Sequence, residues 1–411
     1  MSFVIDLLKN KFASPSKERI VSEYRLTCSG CLYNGNVETF DWTKSSTTRN
    51  LSNDYFQLFV ASQPHEHYPQ ELALLFSCPY TTSTHNNTTG QESFTYRPDD
   101  EVASDLATLI TLFARRLVTI ASKVRVIHPQ EDRGVQETPF PIQGEIGQAW
   151  PMQPSQIITS PSNTGVDIKI KSYMPVPLGF NVISFNRFLQ WFSSKESNFA
   201  KRFLAAARLY QQALRLFHEE VGVAYQLLIS SVETVAGMTE EAPSLAAIML
   251  RRKDLIKHLR GYGLKEKQIE ETVKIATSGI SWVADKFIKF VENNVSDDVW
   301  QYPDPLYPGP GESLQNFMVT KAELWSSLKE IYQHRSAASH GGKPYPDYIS
   351  MGLTPFVRWD SLLELSSLGG WPRPNVPKPE GYVLPIICFE RLVHSALWGH
   401  IANDPQFKGS R

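Results

Sequence analysis

Cysteine is scarce in this chain, with four in 411 residues, at Cys28, Cys31, Cys78 and Cys388. That is too few to staple a secreted scaffold of this size. Net charge is nearly absent as well, at −1. No global positive field therefore draws the chain to nucleic acid or membrane, and any such binding must come from a local patch. The opening residues, Met1 to Lys9, lack a basic leader followed by a long apolar run, so no signal peptide is expected. No stretch reaches the uninterrupted apolar length of a membrane span. There is no Walker P-loop, no Gly-rich dinucleotide fingerprint and no G-x-S-x-G, which leaves nucleotide hydrolysis and hydrolase triads without support. The expectation is a soluble cytoplasmic protein with no membrane partner and no cofactor.

What is present is a foldable composition, 42% hydrophobic and 20% charged, over a length that suits two or three domains. The first part reads as α+β, over 1–190. Runs rich in β-branched and aromatic residues predict strands at Ile20 to Leu26, Tyr55 to Ala61, Leu72 to Phe76, Ser93 to Tyr96 and Val124 to Ile127. Between them the spacing of Leu106, Ile110, Phe113, Leu117 and Ile120 predicts a helix from about Glu101 to Ser122. From about 128 to 180, prolines at 129, 139, 141, 151, 154, 161, 175 and 177 predict an irregular connection, with a strand at Asp167 to Lys171.

The second part, 195–411, reads as an all-α bundle interrupted by loops. Phe203, Ala206, Tyr210, Ala213 and Phe217 form one stripe. Val223, Leu227, Ser231 and Val235 form another, ending at Gly237, a natural helix stop. A pattern over Ile280 to Phe290 predicts a further helix, and a last one runs from about Pro385 to Ile401. Pro-rich breaks fall at Tyr302 to Gly311 and Pro344 to Pro379.

Between those breaks, Leu324, Leu328, Ile331 and Arg335 line one side of a helix that ends in Tyr332-Gln333-His334-Arg335-Ser336-Ala337-Ala338-Ser339-His340-Gly341-Gly342. Arginine is a fixed cation that suits phosphate, and histidine can move a proton near neutral pH. Together they are the minimum equipment for cutting RNA without a metal. The spacing alone carries little weight, because Arg252 and His258 form a near-decoy in the same chain. On a regular helix, positions five apart differ by about 140°. Arg335 and His340 therefore converge only if the helix loosens at His340, which the glycine pair invites, or if two copies meet. The plainer reading is a helix C-terminus whose cationic side chains favour the carbonyl end of the dipole.

The order of these elements resembles the HEPN domain, in particular its Apea-like branch. The resemblance rests on the helix Phe203 to Phe217, on Ser231-Val232-Glu233-Thr234-Val235, and on Tyr332-x-x-Arg335-Ser336-x-x-x-His340-Gly341-Gly342. It covers about 200 residues at the C-terminus, and the first 190 resemble no known family. The resemblance implies a helical bundle that commonly dimerises, with the Arg and His of both copies meeting in a cleft. It also implies a metal-independent endoribonuclease of a toxin or antiphage system, with RNA as substrate and a trigger or antitoxin as a further partner. The residue after the arginine is Ser336, usual for the Apea-like branch, where many active HEPN enzymes have Asn, Asp or His. A non-catalytic HEPN scaffold that binds RNA or protein is the alternative.

Glu233 sits in an otherwise small and apolar turn, and a buried carboxylate needs a partner. It either orients Arg335 or forms a structural bridge between helices. Tyr332 either stacks on a base or packs. Arg251, Arg252, Lys253, Lys257 and Arg260 open a basic run through Lys274 that either follows an RNA backbone or is a solvated face. Cys28-Ser29-Gly30-Cys31 has zinc-knuckle spacing but no second C-x-x-C. Cys78 with His65, His67 or His85 could complete four ligands only by arithmetic, so a reduced cysteine pair and no metal are expected.

Overall fold

The computed structural model describes residues 19–28, 51–52, 56–60, 70–79, 83–84, 95–96, 98–127, 138–139, 182–277, 282–300, 317–350, 378 and 381–408. Near the N-terminus lies an antiparallel sheet, and most of the remaining described chain is helical. The strands are β1 (Arg19–Cys28), β2 (Leu51–Ser52), β3 (Phe56–Val60), β4 (Gln70–Pro79), β5 (Ser83–Thr84), β6 (Thr95–Tyr96), β7 (Val118–Ile127) and β8 (Thr138–Pro139). Six of them form one sheet in the order β2-β3-β4-β1-β7-β8, while β5 pairs with β6.

β1 is central because it pairs on both sides, with β4 from Arg19↔Pro79 to Cys28↔Gln70 and with β7 from Val21↔Ile127 to Cys28↔Val118. Its alternate residues Ser22, Tyr24, Leu26 and Cys28 are all buried, as a period of two requires of one face. The first helix among the described residues, α1 (Pro98–Ala114), covers that face. The Ser22 and Tyr24 hydroxyls donate to Asp99 Oδ2 at 2.8 and 2.9 Å. The Lys123 ammonium from β7 closes the group with a short ion pair to Asp99. Burial opposes ionisation of Asp99, but Lys123 and the two hydroxyls hold its carboxyl below the usual range.

α1 was expected to run to Ser122, yet it stops at Ala114. Arg115 turns the chain at φ 53°, and Thr111 Oγ1 accepts from the Val118 N–H at 3.0 Å to close the turn. Leu117 and Ile120 continue the helical spacing, but Val118-Thr119-Ile120 is β-branched and finds a partner in β1. Of the other expected strands, Asp167 to Lys171 lies outside the described residues.

Among the described residues ten further helices follow: α2 (Val182–Ser194), α3 (Ser197–Leu216), α4 (Val221–Thr239), α5 (Leu245–Arg251), α6 (Lys253–Gly261), α7 (Glu266–Thr277), α8 (Val283–Asn294), α9 (Leu324–Gly341), α10 (Ile386–Asn403) and α11 (Pro405–Lys408). α3 carries the expected stripe, with Phe203, Ala206, Tyr210 and Ala213 buried. α4 departs from expectation in two ways. Val223 is exposed, and the helix passes through Gly237 to Thr239. Its buried face is Ala224, Tyr225, Leu228, Ile229, Ser231, Val232, Val235 and Ala236. Ser231 Oγ donates to the Ala206 carbonyl of α3 at 2.8 Å. By length and composition alone α4 could cross a membrane, but here that apolar face is a packing face within the bundle.

One hydrophobic cluster runs from the sheet through α1 into the helices. Polar joints cross the same junction. Thr108 donates to Gln211 Oε1 at 2.8 Å, and Arg208 Nε donates to Asp105 at 2.9 Å. Arg115 pairs at 2.5 Å with Glu390 of α10, which also accepts from the Tyr210 hydroxyl at 2.5 Å. At Gly399, α10 approaches the end of α8 so closely that a Cβ would lie 1.8 Å from the Asn294 carbonyl oxygen. The helices α5 to α7 stand apart as a small lobe with a core of their own, Ile248, Ile256, Ile269 and Val273.

Candidate functional site

α9 begins at a capping box. The Glu323 carboxylate accepts from the Thr320 N–H and hydroxyl, both at 2.8 Å, an arrangement that satisfies the orphan donors of a helix start. Its first half is anchored, with Leu324, Ser327, Leu328 and Ile331 buried. After Ile331 no residue of the helix is buried. The second half therefore runs along the edge of the core, half-buried to Ala338 and exposed from Ser339, and it carries the Tyr332 to Gly342 motif.

The structure brings together three of the residues singled out from the sequence. Glu233 of α4 accepts from the Tyr332 hydroxyl at 2.7 Å through Oε1, and from Arg335 Nη2 at 3.2 Å through Oε2. The guanidinium also lies over the Tyr332 ring, 5.5 Å from its centroid. The Glu233 side chain is 12% exposed and that of Arg335 is 27% exposed, so the pair sits at the edge of the core. Burial and the Glu233 carboxylate push the Tyr332 phenol up, which keeps it a hydrogen-bond donor throughout the physiological range. Among the described residues Glu233 is the one hydrogen-bond acceptor for Arg335. The rest of its donor fork is open to a ligand.

His340 is not part of this group. α9 stays helical through Gly341, and the N–H groups of Gly342 and Lys343 both reach the Ala337 carbonyl. The loosening expected at His340 is absent, because the turn comes one residue beyond Gly341, at Gly342 with φ 63°. That left-handed position is where glycine serves best. Arg335 and His340 thus point about 140° apart. His340 instead falls on the outer side of α9 with Trp325, Lys329 and Ser336, recurring at close to whole helical turns. Trp325 is 45% exposed there and Lys329 lies over its ring. Neither Ser336 nor His340 makes a side-chain hydrogen bond among the described residues.

Tyr345 is a member of the neighbourhood that the sequence reading missed. It lies between two prolines in the segment after α9, and that flanking is the one local signal of a fixed aromatic. Its ring packs on Tyr225 at 5.0 Å, and its buried hydroxyl has no hydrogen-bond partner among the described residues. Burial pushes its phenol up, with Arg335 opposing and Glu233 reinforcing the shift. Beside it an open cleft of about 420 Å³ separates the start of α4 from the segment 342–350. Ala338 and Gly342 line that cleft three and seven residues beyond Arg335, so it continues the Arg335 side of α9.

The remaining sequence candidates lie elsewhere. Arg252, Lys253, Lys257 and Arg260 are exposed on the α5–α7 lobe, with Arg260 paired to Glu266 at 2.8 Å. Arg251 closes α5, and its side chain lies outside the described residues, as do Cys31, His65, His67 and His85. Cys28 is a buried thiol facing the core. Among the described residues no group of three His, Cys, Asp or Glu could hold a metal. No family model, no curated protein and no solved structure matches the chain.

Proposed function

We propose that this protein is a metal-independent endoribonuclease of the HEPN type, acting in the cytoplasm in antiphage defence or as a toxin. The observation that carries the reading is the C-terminal half of α9. It presents a positioned, partly exposed arginine with donors left open and an exposed histidine one and a half turns further on. Arg335 and His340 diverge within one copy, so the cutting centre forms between two copies, the Arg335 side of one α9 meeting the His340 side of the other. Small residues at Ser336, Ala337, Ala338 and Ser339 allow that close approach.

The chemistry follows from the substrate. RNA supplies its own nucleophile, the 2′-hydroxyl. Neutral His340 accepts its proton as the oxygen attacks the adjacent phosphorus. Arg335 pairs with the non-bridging oxygens and stabilises the charge that builds in the transition state. A protonated His340, from either copy, returns a proton to the departing 5′-oxygen. The products are a 2′,3′-cyclic phosphate and a 5′-hydroxyl. Glu233 and Tyr332 hold the Arg335 guanidinium, and the cleft beside Tyr345 gives the flanking nucleotide a place. An N-terminal sensing role and a trigger or antitoxin partner complete the proposal by analogy with such systems.

The test is incubation of wild type and His340→Ala with total tRNA and a structured RNA in EDTA, followed by analysis of product ends. Cleavage by the wild type alone, leaving cyclic phosphates, is the expected result. Equal cleavage by both proteins would sink the assignment of His340. A second reading, a non-catalytic scaffold, draws on the closed Glu233–Arg335 pair, which also serves as an interhelical clamp. It expects RNA binding without cleavage, and no loss of that binding on removal of His340.

A further inference from the structure

Trp325 keeps 45% of its surface in solvent, although it stands in the anchored half of α9 between buried Leu324 and Ser327. The core behind it fixes its backbone and leaves the indole outside. Lys329, one turn further on, holds its ammonium over that ring, 5.5 Å from the centroid. A cation and a π-face therefore share one surface by direct contact. Lys329 has no ion-pair partner among the described residues.

The same side of the helix continues to His340. At about 100° per residue, and with Trp325 as origin, Lys329 lies about 40° round, Ser336 about 20° and His340 about 60°. These four residues thus occupy one narrow sector, and they span about 22 Å of axis. Gln333 borders the sector on one edge, exposed, and Tyr332 on the other, with its hydroxyl held by Glu233. Glu330, the one acid in α9, falls about 140° from Trp325, outside the sector. Trp325, Lys329 and His340 are exposed and Ser336 is half-buried. None of the polar three makes a side-chain hydrogen bond among the described residues.

We propose that this side of α9 is a track for single-stranded RNA, on which Trp325 stacks a base, Lys329 holds its phosphate and the strand runs on to His340. An exposed ring against an unpaired cation, on a surface without acids, is the arrangement that single strands use, because every base has a π-face and every step has a phosphate. A duplex hides its bases and offers the ring nothing to stack on. The contact with the indole holds the ammonium in place before the strand arrives, so less ordering is left to binding. A second copy that meets α9 near His340 leaves the Trp325 end, about 22 Å away, for the strand. The track rests on the ribonuclease reading and names the form of substrate that this reading requires.

The test uses the full chain and a labelled 2′-O-methyl oligonucleotide, which cannot be cut, with binding followed by anisotropy at several salt concentrations. Trp325→Ala is expected to weaken binding roughly 5- to 150-fold, while Trp325→Tyr, which keeps a ring, loses much less. Lys329→Ala is expected to flatten the salt slope by about 0.7, the share of one phosphate. Lys329→Glu, at an exposed position, should weaken binding further, and it decides the matter if Trp325→Ala loses its fold. No binding by the wild type, wild-type affinity in a folded Trp325→Ala, or equal affinity for duplex and single strand would overturn the track. So would loss of a dimer in Trp325→Ala by sedimentation, which would give the ring to a second copy. Cleavage of unmodified RNA is scored separately. Cleavage with no dependence on Trp325 sinks the track alone, and Trp325-dependent binding without cleavage sinks the ribonuclease reading alone.

Discussion

Replacing Glu233 with glutamine probes the polar tie between the candidate site and α4. Glutamine keeps the length and can still accept the Tyr332 hydroxyl, now 2.7 Å from Glu233, but it removes the charge that holds Arg335. Exposed ion pairs contribute about 0–1 kcal/mol and broken buried ones cost about 3–5. With the partners 12% and 27% exposed, the pair falls between these limits. The expected loss is about 1–2 kcal/mol for Glu233→Gln and about 2–4 for Glu233→Ala, which also strands the Tyr332 hydroxyl. The assay is urea unfolding followed by tryptophan fluorescence, with Arg335→Ala and the double variant completing a cycle. The two side chains should couple by about 1 kcal/mol and act non-additively. The cost of Glu233→Gln should shrink in high salt by less than half, since the pair is mostly shielded from ions. A loss under about 0.3 kcal/mol, with full additivity, would refute the clamp.

Lys123→Ala strands the carboxylate of Asp99 in the core, so it should cost about 3–5 kcal/mol by chemical denaturation. The Lys123→Ala/Asp99→Asn pair should recover part of that, and a neutral single variant would contradict the buried pair. Gly399→Ala drives a methyl into the Asn294 carbonyl, 1.8 Å away. It should either fail to yield soluble protein or lower stability by about 3 kcal/mol or more, and a wild-type melting temperature would show that α8 and α10 do not meet there. The His400 ring lies against Phe199 and Phe290, 6.1 and 5.4 Å between centroids. Burial, with a smaller push from Lys195, lowers its pKa against the opposing pull of Asp404 and Glu240. Burial likewise lowers His334 and His218. The folded state therefore holds these rings neutral while the unfolded chain protonates near about pH 6.5. The stability is fully present above about pH 6.5 and is lost as pH falls through the folded values. Urea midpoints should drop between about pH 7.5 and 5, less steeply in His400→Gln, and a flat profile would count against the burial. Asp404, lowered despite its burial by Lys195 and local hydrogen bonds, loses its contribution only at more acid pH.

Much of this architecture was legible because its signals are local. The alternation in β1 and the three–four spacing in α3, α9 and α10 each follow from one element meeting one core. Gly342 ends α9 by its own backbone freedom, as the glycine pair suggested. The failures share a cause, which is that a distant partner decided. Leu117 and Ile120 keep helical spacing, but β1 recruits their segment as a strand. Gly237 stays helical, with nothing among the described residues within 4 Å of where a Cβ would project, because α4 continues along its packed face. No periodicity announces that Glu233 meets Tyr332 and Arg335 across about 100 residues, although a lone carboxylate in an apolar turn signalled that some partner was needed. The divergence of Arg335 from His340 was arithmetic from the start. Only the regularity of α9 through Gly341 decided against loosening.

The two halves of α9 explain why a site of this kind can change without unfolding its host. Up to Ile331 the helix is held by buried Leu324, Leu328 and Ile331, and substitutions there are paid in stability. Beyond Ile331 the helix is supported by its own hydrogen bonds, by the Gly342 cap, by the tie to Glu233 and by the Tyr332 and His334 rings against Phe287 and Tyr345. Residues such as Ser336 and His340 carry almost no folding load, so their identity answers to chemistry. Arg335 is the intermediate case, clamped on one side and open on the other, and it bears both loads at once. An arginine free to wander would lose conformational entropy each time it met a phosphate. The Glu233–Tyr332 support removes part of that loss in advance and leaves the outer donors for the ligand. The same tie weakens the positive potential that Arg335 offers to an anion. On the ribonuclease reading proposed above, this trade, position against field strength, favours an arginine that acts on a bound and oriented phosphate over one that attracts RNA from a distance.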